Sequence, residues 1–462
     1  MVAQARRTRG GEPGARASAP WPTSATAWYT VLVLALSAMF ANLDQSIVSL
    51  LVEPIKRDLH LSDTRMAILL GPAFALFFAL IAIPVARFID RHGRTSILAL
   101  GLATWSVATA CCGLAQGFWS LLLARIGVGG GEAVNQPATF SLIADSFPKE
   151  RLPRAIAVMQ LGVTAGGAIP FLLGAFLMSL FAHVRPIAIP GVGAIRSWQL
   201  VFVAVGLPGL AVALLLVTTV REPARRGLEV AGAPRVALRS VIAYLIAHWR
   251  VFAPMFLALA FGMIAAFAQQ QWLPAFFQRT YGWDIPRTGN TIGIVQLVAM
   301  PVGLALGVWL AERFDRKGRA AAPLLVVILA GFIRVPASIA MPLMPTAALA
   351  VLCQTLVACS TGISGASQNA ALQIVTPNQM RGQVTALYLF TYNVIGFGLG
   401  PLIAGILTDE VFRAESALRY SLLTMAAVLA PLALAMVWLG VQPYVREVRR
   451  LATFAPQPTP GA

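Results

Sequence analysis

The chain has 462 residues, of which 58% are hydrophobic and 11% are charged, and its mean hydropathy is +0.75. A soluble domain carries roughly 25% charged residues, so this composition excludes an ordinary soluble protein and favours one embedded in lipid. The formal net charge is +17, but the basic residues fall in short loops between apolar runs, which excludes a nucleic-acid-binding face.

The first 25 residues are polar and basic, and we expect a disordered cytoplasmic tail there. Twelve apolar runs follow, and each is long enough to cross a bilayer as a helix, which needs about 20 residues. They lie at residues 28–51, 66–86, 95–115, 118–144, 154–181, 198–220, 251–278, 288–311, 320–342, 347–374, 382–407 and 417–440. An all-α membrane protein with twelve transmembrane helices is therefore predicted.

The basic residues in the loops predict the orientation. On the side that holds both termini there are 24 of them, against nine on the opposite side. Cytoplasmic loops carry the excess of Lys and Arg, so both termini are predicted to lie in the cytoplasm of a cell whose inner membrane holds the protein.

A charged loop motif occurs twice and divides the chain. Residues 87–94 read R-F-I-D-R-H-G-R, and residues 312–319, 225 positions later, read E-R-F-D-R-K-G-R. A repeat at this distance predicts two pseudo-symmetric six-helix bundles. We place them at 26–220 and 251–441, joined by a basic linker at 221–250 that contains an amphipathic interfacial helix, and followed by a cytoplasmic tail at 442–462.

Three ionisable residues lie inside the first and fourth runs: Asp44, Arg125 and Glu132. A charge at the centre of a bilayer costs at least about 2.5–3.5 kcal/mol, so such residues are candidates for function. Arg125 and Glu132 are seven residues apart, on one helical face that also carries Gly129 and Gln136. We expect Asp44 and Glu132 to take up and release a coupling proton beside Arg125; the alternative is an ion pair that only fixes helix packing.

Neutral polar residues mark the second half. Gln354, Thr361 and Gln368 share one face of the tenth run, and Gln269 and Trp272 lie in the seventh. We expect these side chains to line a substrate cavity, together with Gln136 of the first half.

The two halves differ in charge. An offset of 229 residues takes Arg125 to Gln354, Glu132 to Thr361 and Asp145 to Ile374. Arg334 is the exception in the second half, within the ninth run. Its long side chain is expected to extend outward to the membrane interface.

The repeated loops are predicted to be gating elements. In the first copy, Asp90, Arg91, Gly93 and Arg94 form the pattern D-R-x-G-R, and Arg94 is expected to pair with Asp145 at the end of the fourth run. Asp90 is expected to face the N-terminus of the eleventh helix, whose dipole favours an anion. The second copy contributes Asp315, Arg316, Gly318 and Arg319.

The D-R-x-G-R loops resemble those of the major facilitator superfamily over nearly the whole chain. The resemblance implies that spans one, four, seven and ten line a central cavity. The stretches 42–49, 53–56 and 124–133 resemble the spinster branch, whose members move lysolipids or sphingoid lipids. That branch implies coupling roles for Asp44, Arg125 and Glu132. Similar stretches occur in anion:cation symporters, so both substrate classes stay open.

The function predicted from these observations is secondary active transport of a small amphipathic or anionic organic solute by alternating access, coupled to protons. The expected partners are that solute, protons and the lipid bilayer, with no nucleic acid; the protein is expected to be a monomer without cofactor or metal. The alternatives are an organic-anion symporter and a transport-inactive receptor or scaffold. An intramembrane hydrolase is disfavoured, because the G-x-S-G at 362–365 has no histidine within a predicted span to act as its base.

Overall fold

The computed structural model describes residues 21–89, 92–148, 150–184, 186–190, 193–225 and 237–454. Its first half is helical apart from one short antiparallel hairpin. The helices are α1 (Ser24–Leu50), α2 (Val52–Leu59), α3 (Asp63–Leu70), α4 (Pro72–Ile89), α5 (Arg94–Cys112), α6 (Phe118–Glu132), α7 (Asn135–Ser146), α8 (Leu152–Phe181) and α9 (Ser197–Thr219). Strands β1 (Ile187–Ile189) and β2 (Gly193–Ile195) pair with Ile187 opposite Ile195.

The second half begins with a short helix in the linker. Its helices are α10 (Leu238–Ala247), α11 (Trp249–Tyr281), α12 (Ile285–Arg316), α13 (Ala322–Ala340), α14 (Ala347–Val375), α15 (Arg381–Phe390), α16 (Gly400–Ile406) and α17 (Leu418–Phe454). Two π-helical segments (Thr391–Leu399 and Leu407–Phe412) and two 3₁₀ turns (Met341–Leu343 and Glu415–Ala417) complete it.

Long helices dominate because lipid offers no partners to backbone groups, so each span must satisfy them internally. Within the described ranges, eleven helical units are long and apolar enough to cross a membrane. The predicted fourth run is instead divided into α6 and α7 by a turn at Ala133 and Val134. Both turn residues keep right-handed helical dihedral angles, so the run bends without reversing.

The second run is interrupted between α3 and α4. Pro72 has no N–H group, and Phe74 and Ala75 both donate to the carbonyl of Gly71, at 3.2 and 2.9 Å. The carbonyl groups of Leu69 and Leu70 are therefore available to side chains. Gly71 also permits a close approach to the second half, because a Cβ atom there would lie 2.7 Å from the Phe397 carbonyl oxygen.

Each half packs mainly within itself. In the N-terminal half, α1 packs on α8 and α5 packs on α6 and α9, whereas in the C-terminal half α11 packs on α17 and α14 packs on α12 and α13. The halves meet where α8 contacts α12, and where α3 and α4 contact α16 and the first π segment.

We call the side at the ends of α4 and α12 the hinge side, predicted to be cytoplasmic, and the opposite side the far side. Phe171 approaches Gly289, and Asp63 approaches Gly405, both in the far part of the molecule. The far side is thus closed by packing between the two halves.

The linker contains the predicted interfacial helix as α10. Val241 is buried, while Leu238, Ile242 and Ile246 are exposed, as an amphipathic helix at a membrane surface requires. The predicted tail up to residue 20, residues 226–236 of the linker and the last eight residues lie outside the described ranges. The domain boundaries proposed from the sequence remain predictions.

Candidate functional site

The structure brings the three intramembrane charges of the N-terminal half together. We call Asp44, Arg125 and Glu132 the acid–arginine cluster. Their exposed fractions are 2%, 1% and 2%. Across the described residues, no carboxylate oxygen lies within ion-pair distance of Arg125, so the alternative of a packing ion pair is not what the structure shows.

Arg125 instead binds backbone carbonyl groups. Its Nη1 donates to the Asp44 carbonyl oxygen at 3.2 Å, and its Nε donates to the Leu69 carbonyl oxygen at 3.3 Å. The Leu69 acceptor is available because of the break at Gly71 and Pro72. The guanidinium lies 5.7 Å from the centroid of the Phe74 ring, and Nη2 has no hydrogen-bond partner in the described structure.

Each carboxylate also has an unsatisfied oxygen atom. Gln45 Nε2 donates to Glu132 Oε2 at 2.6 Å, but Glu132 Oε1 has no partner within the described ranges. Asp44 Oδ1 likewise has no hydrogen-bond partner within the described ranges, although Thr109 lies beside this carboxyl group. Buried polar groups are normally satisfied, so three unsatisfied atoms in one cluster make it a candidate functional site.

The predicted polar face of the fourth run is only partly present. Gly129 does not leave an open gap, because a Cβ atom there would lie 2.6 Å from the Phe74 carbonyl oxygen, so this glycine serves helix packing. The chain turns after Glu132, and Gln136 lies on α7, exposed and outside the hydrogen bonds of the cluster.

The corresponding position of the C-terminal half holds a pair of amides. Gln269 Nε2 donates to Gln354 Oε1 at 2.9 Å, and Met341 Sδ lies 3.4 Å from the same nitrogen. Thr361 is half-buried and donates to the Val357 carbonyl oxygen at 2.9 Å, so its hydroxyl group is satisfied within its own helix.

Two other predicted cavity residues differ in their surroundings. Gln368 is half-buried and accepts a hydrogen bond from the Tyr388 hydroxyl group at 3.5 Å. Trp272 does not line a cavity: it is 0% exposed and donates to the Pro401 carbonyl oxygen at 3.0 Å. The sequence interpretation of Trp272 as a cavity wall is therefore corrected to a core residue, packed where the two halves meet.

The first hinge loop forms the predicted contact between Arg94 and Asp145. Arg94 is 2% exposed, and its guanidinium pairs with Asp145 and also donates to the Ser141 hydroxyl oxygen at 2.9 Å. Its Nε pairs with Glu222 Oε1 at 2.7 Å. Because α5 and α7 belong to the N-terminal half and Glu222 belongs to the linker, this cluster ties the linker to one half rather than joining the two halves.

Glu222 also accepts from the N-terminus of α5. Thr95 donates to Glu222 Oε2 through its backbone N–H at 2.9 Å and through its hydroxyl group at 2.8 Å. Burial raises the pKa of the Glu222 carboxyl group, but the hydrogen bonds from Thr95 and Arg94 outweigh it and hold the pKa below its ordinary value. Asp90 and Arg91 lie outside the described residues, so the predicted contact of Asp90 with the eleventh helix stays a prediction.

The second hinge loop has no such network. Asp315, Arg316, Gly318 and Arg319 are all exposed. Arg316 pairs with Glu312 at 3.1 Å, one turn away on the same helix, and both side chains are more than half exposed. Ile374, which stands where Asp145 would be expected, is 42% exposed. The two loops share a sequence pattern but have different surroundings.

A second ionic network closes the far side between the two halves. Arg279 of α11 binds both carboxylate oxygens of Asp63 at 2.7 Å, and it binds Glu53 at 2.7 Å. Lys56 pairs with Asp63, and it pairs with Glu415 at 3.0 Å.

A carboxylate also fixes the start of α3 in this region. Asp409 Oδ2 accepts from the Thr64 backbone N–H at 2.6 Å, and Asp409 Oδ1 accepts from that of Asp63 at 3.3 Å. An anion at a helix N-terminus is favourable, so Asp409 of the C-terminal half stabilises a helix of the other half.

The sequence of the chain matches a known family. The model of the Major Facilitator Superfamily matches residues 34–400. The chain belongs to this superfamily.

The relatives of this major facilitator carry names that describe different kinds of transporter. An MFS-type efflux pump of Mycolicibacterium smegmatis is 28% identical over 433 residues, covering 91% of this chain and 94% of the relative. A probable L-galactonate transporter of Escherichia coli is 25% identical and covers 89% of each chain. The crystal structure of a bacterial homolog to the human lysosomal transporter Spinster, inward-facing and unoccupied, is 26% identical, covers 95% of this chain and 100% of its own, and has a TM-score of 0.70. The spinster-like resemblance is confirmed.

The sequence interpretation of this major facilitator missed several residues of its networks. Gln45 and Glu222 were not identified, although Gln45 neighbours Asp44 and Glu222 begins the linker after α9. On the far side, Lys56 and Arg279 entered only as charges that set orientation. The sequence signal that was available there is a set of opposite charges in short loops, namely Glu53, Lys56, Asp63, Arg279, Asp409 and Glu415.

Proposed function

We propose that this major facilitator is a proton-coupled secondary transporter, moving an amphipathic or anionic organic solute across the inner membrane by alternating access, with both termini in the cytoplasm. The observation that carries this proposal is the acid–arginine cluster. Asp44, Arg125 and Glu132 are buried inside the N-terminal half, and each has a polar atom without a partner in the described structure.

The unpartnered polar atoms of this cluster can gain partners in more than one way. A buried charged group without a partner is unfavourable, so it neutralises or gains a partner. Either carboxylate can bind a proton, or it can move to accept a hydrogen bond from the free Nη2 of Arg125. Proton binding therefore competes with contact to Arg125.

The far-side network supports alternation between two states. Arg279 and Lys56 hold residues of α2, α3 and the turn at 415–417 together, and Asp63 is 0% exposed. To open the far side, the ion pairs between Arg279 and the N-terminal half must separate, which exposes buried charges. We propose that this network is the far-side gate and that opening it alternates with opening of the hinge side.

The proposed cargo follows from the chemistry of the site and of the relatives. A cavity between helices with few polar groups suits a solute with an apolar body. The similarity to the Spinster homolog favours an amphipathic solute, while the L-galactonate transporter favours a small organic anion as the second candidate.

Proton coupling is tested with purified protein in proteoliposomes. Asp44→Asn and Glu132→Gln are expected to abolish solute uptake driven by a pH gradient, while size-exclusion profiles stay unchanged. Glu312→Gln is the matched control, because this carboxylate is 60% exposed and far from the cluster. Wild-type pH dependence in both Asp44→Asn and Glu132→Gln would contradict the proposed coupling.

A further inference from the structure

A cavity lies inside the C-terminal half, separate from the acid–arginine cluster. Its walls come from α11, α13, α14 and α17, with Tyr388 of α15 at one side. Apolar side chains such as Met255, Leu324 and Val437 form most of the surface. Polar groups lie along α14, where Ser360, Ser364 and Gln368 reach the cavity.

The cavity is long. On α11 it runs from Met255 to Gln269, and on α13 it runs from Leu324 to Ser338. Fourteen residues of helix correspond to about 21 Å at a rise of 1.5 Å per residue. That is more than half of the roughly 30 Å hydrocarbon core of a bilayer, so the cavity has room for an extended apolar chain.

Small residues keep this space open. Gly262 and Gly331 lie on facing walls, and Ala430 and Ala433 contribute from α17. A Cβ atom added at Gly262 would meet only the Cβ atom of Ala433, at 3.6 Å, which is an ordinary contact. A larger side chain at this position would therefore extend into the cavity rather than displace a neighbouring helix.

Arg334 places a cation in this cavity. The expectation that its side chain extends outward to the membrane interface is wrong, because Arg334 lines the cavity together with Gln269, Ser338 and Gln368. Among the described residues, Arg334 makes neither a hydrogen bond nor an ion pair. A cation within a membrane span is unfavourable unless something pairs with it.

Arg125, the other arginine well inside an apolar run, does not supply an unpaired cation to this cavity. Its guanidinium is 1% exposed and donates to two backbone carbonyl groups. Arg125 and Arg334 are the arginines that the sequence places well inside apolar runs, whereas Arg154 and Arg419 lie at the ends of theirs. The 225-residue offset of the hinge loops takes Thr109, which lies beside Asp44, to Arg334, and takes Asp44 itself to Gln269. Thr109 beside the acid is thus replaced by a cation, Arg334, in the C-terminal half, and the acid itself is replaced by an amide.

We propose that this cavity binds an amphipathic anion, with the carboxylate or phosphate group at Arg334 and the apolar chain along α11, α13 and α17. A guanidinium offers two parallel donors to such a group, and Gln269 and Ser338 lie on the same part of the wall. This inference rests on the proposed function, because it assigns to the C-terminal half the binding of the cargo whose transport the acid–arginine cluster couples to protons.

The test is a binding measurement on the full chain in nanodiscs of zwitterionic lipid, with laurate as the probe. Wild-type protein is expected to bind laurate, and Arg334→Gln is expected to weaken binding by about tenfold or more, the usual size of a lost hydrogen bond to a charged group. Arg334→Lys is expected to keep part of the affinity. Gly262→Leu fills the cavity and is expected to abolish binding, with Ala430→Leu as a second filling variant.

The controls separate charge from chain length. Arg449→Gln removes an exposed arginine near the end of α17 and is expected to bind laurate as the wild type does. Acetate tests the anionic group without the chain, and dodecyltrimethylammonium tests the chain with the opposite charge. Equal affinity of wild type and Arg334→Gln for laurate, or binding of dodecyltrimethylammonium as tight as that of laurate, would overturn the assignment of Arg334. Acetate binding as tight as laurate would overturn the role of the apolar walls.

The two proposals fail in different ways. Asp44→Asn is expected to bind laurate normally and to lose uptake driven by a pH gradient. If wild-type uptake proves independent of the pH gradient while laurate binding still requires Arg334, the coupling proposal fails and the cavity assignment stands. If uptake is coupled to protons while Arg334→Gln binds laurate as tightly as the wild type does, only the cavity assignment fails.

Discussion

The two halves of the molecule hold different chemistry at corresponding positions. In the N-terminal half, Arg125 donates to the backbone at Asp44 and leaves atoms of the acid–arginine cluster unsatisfied. In the C-terminal half, Gln269 and Gln354 form a direct hydrogen bond at 2.9 Å. Neither amide has a buried polar atom without a partner in the described structure. The acid–arginine cluster thus places both of its buried carboxyl groups in the half that is proposed to bind protons, and the C-terminal half carries a cation, Arg334, in its cavity.

The hinge loops show the same asymmetry on a smaller scale. Arg94 is buried and forms two ion pairs, whereas Arg319, 225 residues later, is exposed. One motif was duplicated, but the C-terminal copy has Ile374 in place of the acid. A shared sequence pattern therefore does not imply a shared energetic role.

The largest effect is expected when the N-terminal half receives the neutral polar residues of the C-terminal half. The double variant Arg125→Gln, Glu132→Thr copies Gln354 and Thr361, and it is expected to reduce proton-driven uptake by about a hundredfold or more, equivalent to roughly 2.8 kcal/mol. The reason is that a neutral pair cannot exchange a proton. The measurement is uptake in proteoliposomes, with size-exclusion chromatography as the check on folding.

The reverse substitution serves as the control for that experiment. Thr361→Glu places a carboxylate at the corresponding position of the C-terminal half, where no arginine stands at position 354. It is not expected to restore uptake to the double variant. Recovery of coupling would show that the two halves are interchangeable and that the comparison is wrong.

The next effect concerns the stability of the hinge side. Arg94→Gln removes the buried cation that pairs with Asp145 and Glu222 and is expected to lower the free energy of unfolding by about 3–5 kcal/mol, as for other broken buried ion pairs. Arg319→Gln, the matched change in the exposed copy, is expected to stay within about 0.5 kcal/mol. Denaturant or thermal unfolding of the purified variants measures both, and equal destabilisation would contradict the difference between the loops.

The smallest expected effect is the pH dependence of Glu222. Because the pKa of its carboxyl group is held below the ordinary value of 4.5, its contribution is fully present above that value and is lost as the pH falls through the lowered pKa. The side chain is 35% exposed, so the contribution is expected to be about 1 kcal/mol or less. The midpoints of thermal unfolding of wild type and Glu222→Gln should differ at neutral pH and converge on acidification.

Glu150→Gln is the control for the pH experiment. Glu150 is an exposed carboxylate on the same side, and its substitution is expected to leave the midpoint unchanged at every pH. A difference between wild type and Glu222→Gln that grows as the pH falls would contradict the sign of the shift.

The fold was predictable from the sequence because lipid imposes a strong constraint on every span, and because the repeated loop reports the duplication. The contact between Arg94 and Asp145 was also predictable, since Arg94 belongs to the loop motif and Asp145 lies at the end of the fourth run on the same side of the membrane. Glu222 was not predictable, because it follows α9 and reaches Arg94 only through the tertiary fold, 128 residues away in the chain.

The direction of individual side chains was less accessible. Helical periodicity places Trp272 on a face of α11, but it does not tell whether that face meets a cavity or the other half. Arg125 was expected to lie beside the carboxyl groups of Asp44 and Glu132, and its actual partners are two backbone carbonyl groups, of which that of Leu69 is available because α3 ends at Leu70. Arg334 enters a cavity whose openness depends on small residues from other helices, such as Ala430, that no local pattern reveals.

The break between α3 and α4 links the two halves thermodynamically. Two neighbouring carbonyl groups at this break accept hydrogen bonds from different halves. Arg125 of the N-terminal half donates to the Leu69 carbonyl oxygen, and Gln271 of the C-terminal half donates to the Leu70 carbonyl oxygen at 3.3 Å. Any ligand that changes the strength of the first bond changes the geometry on which the second depends. Such coupling is reciprocal, so a proton bound at the proposed coupling site would change the free energy of the Gln271–Leu70 bond by the same amount as that bond changes the free energy of proton binding.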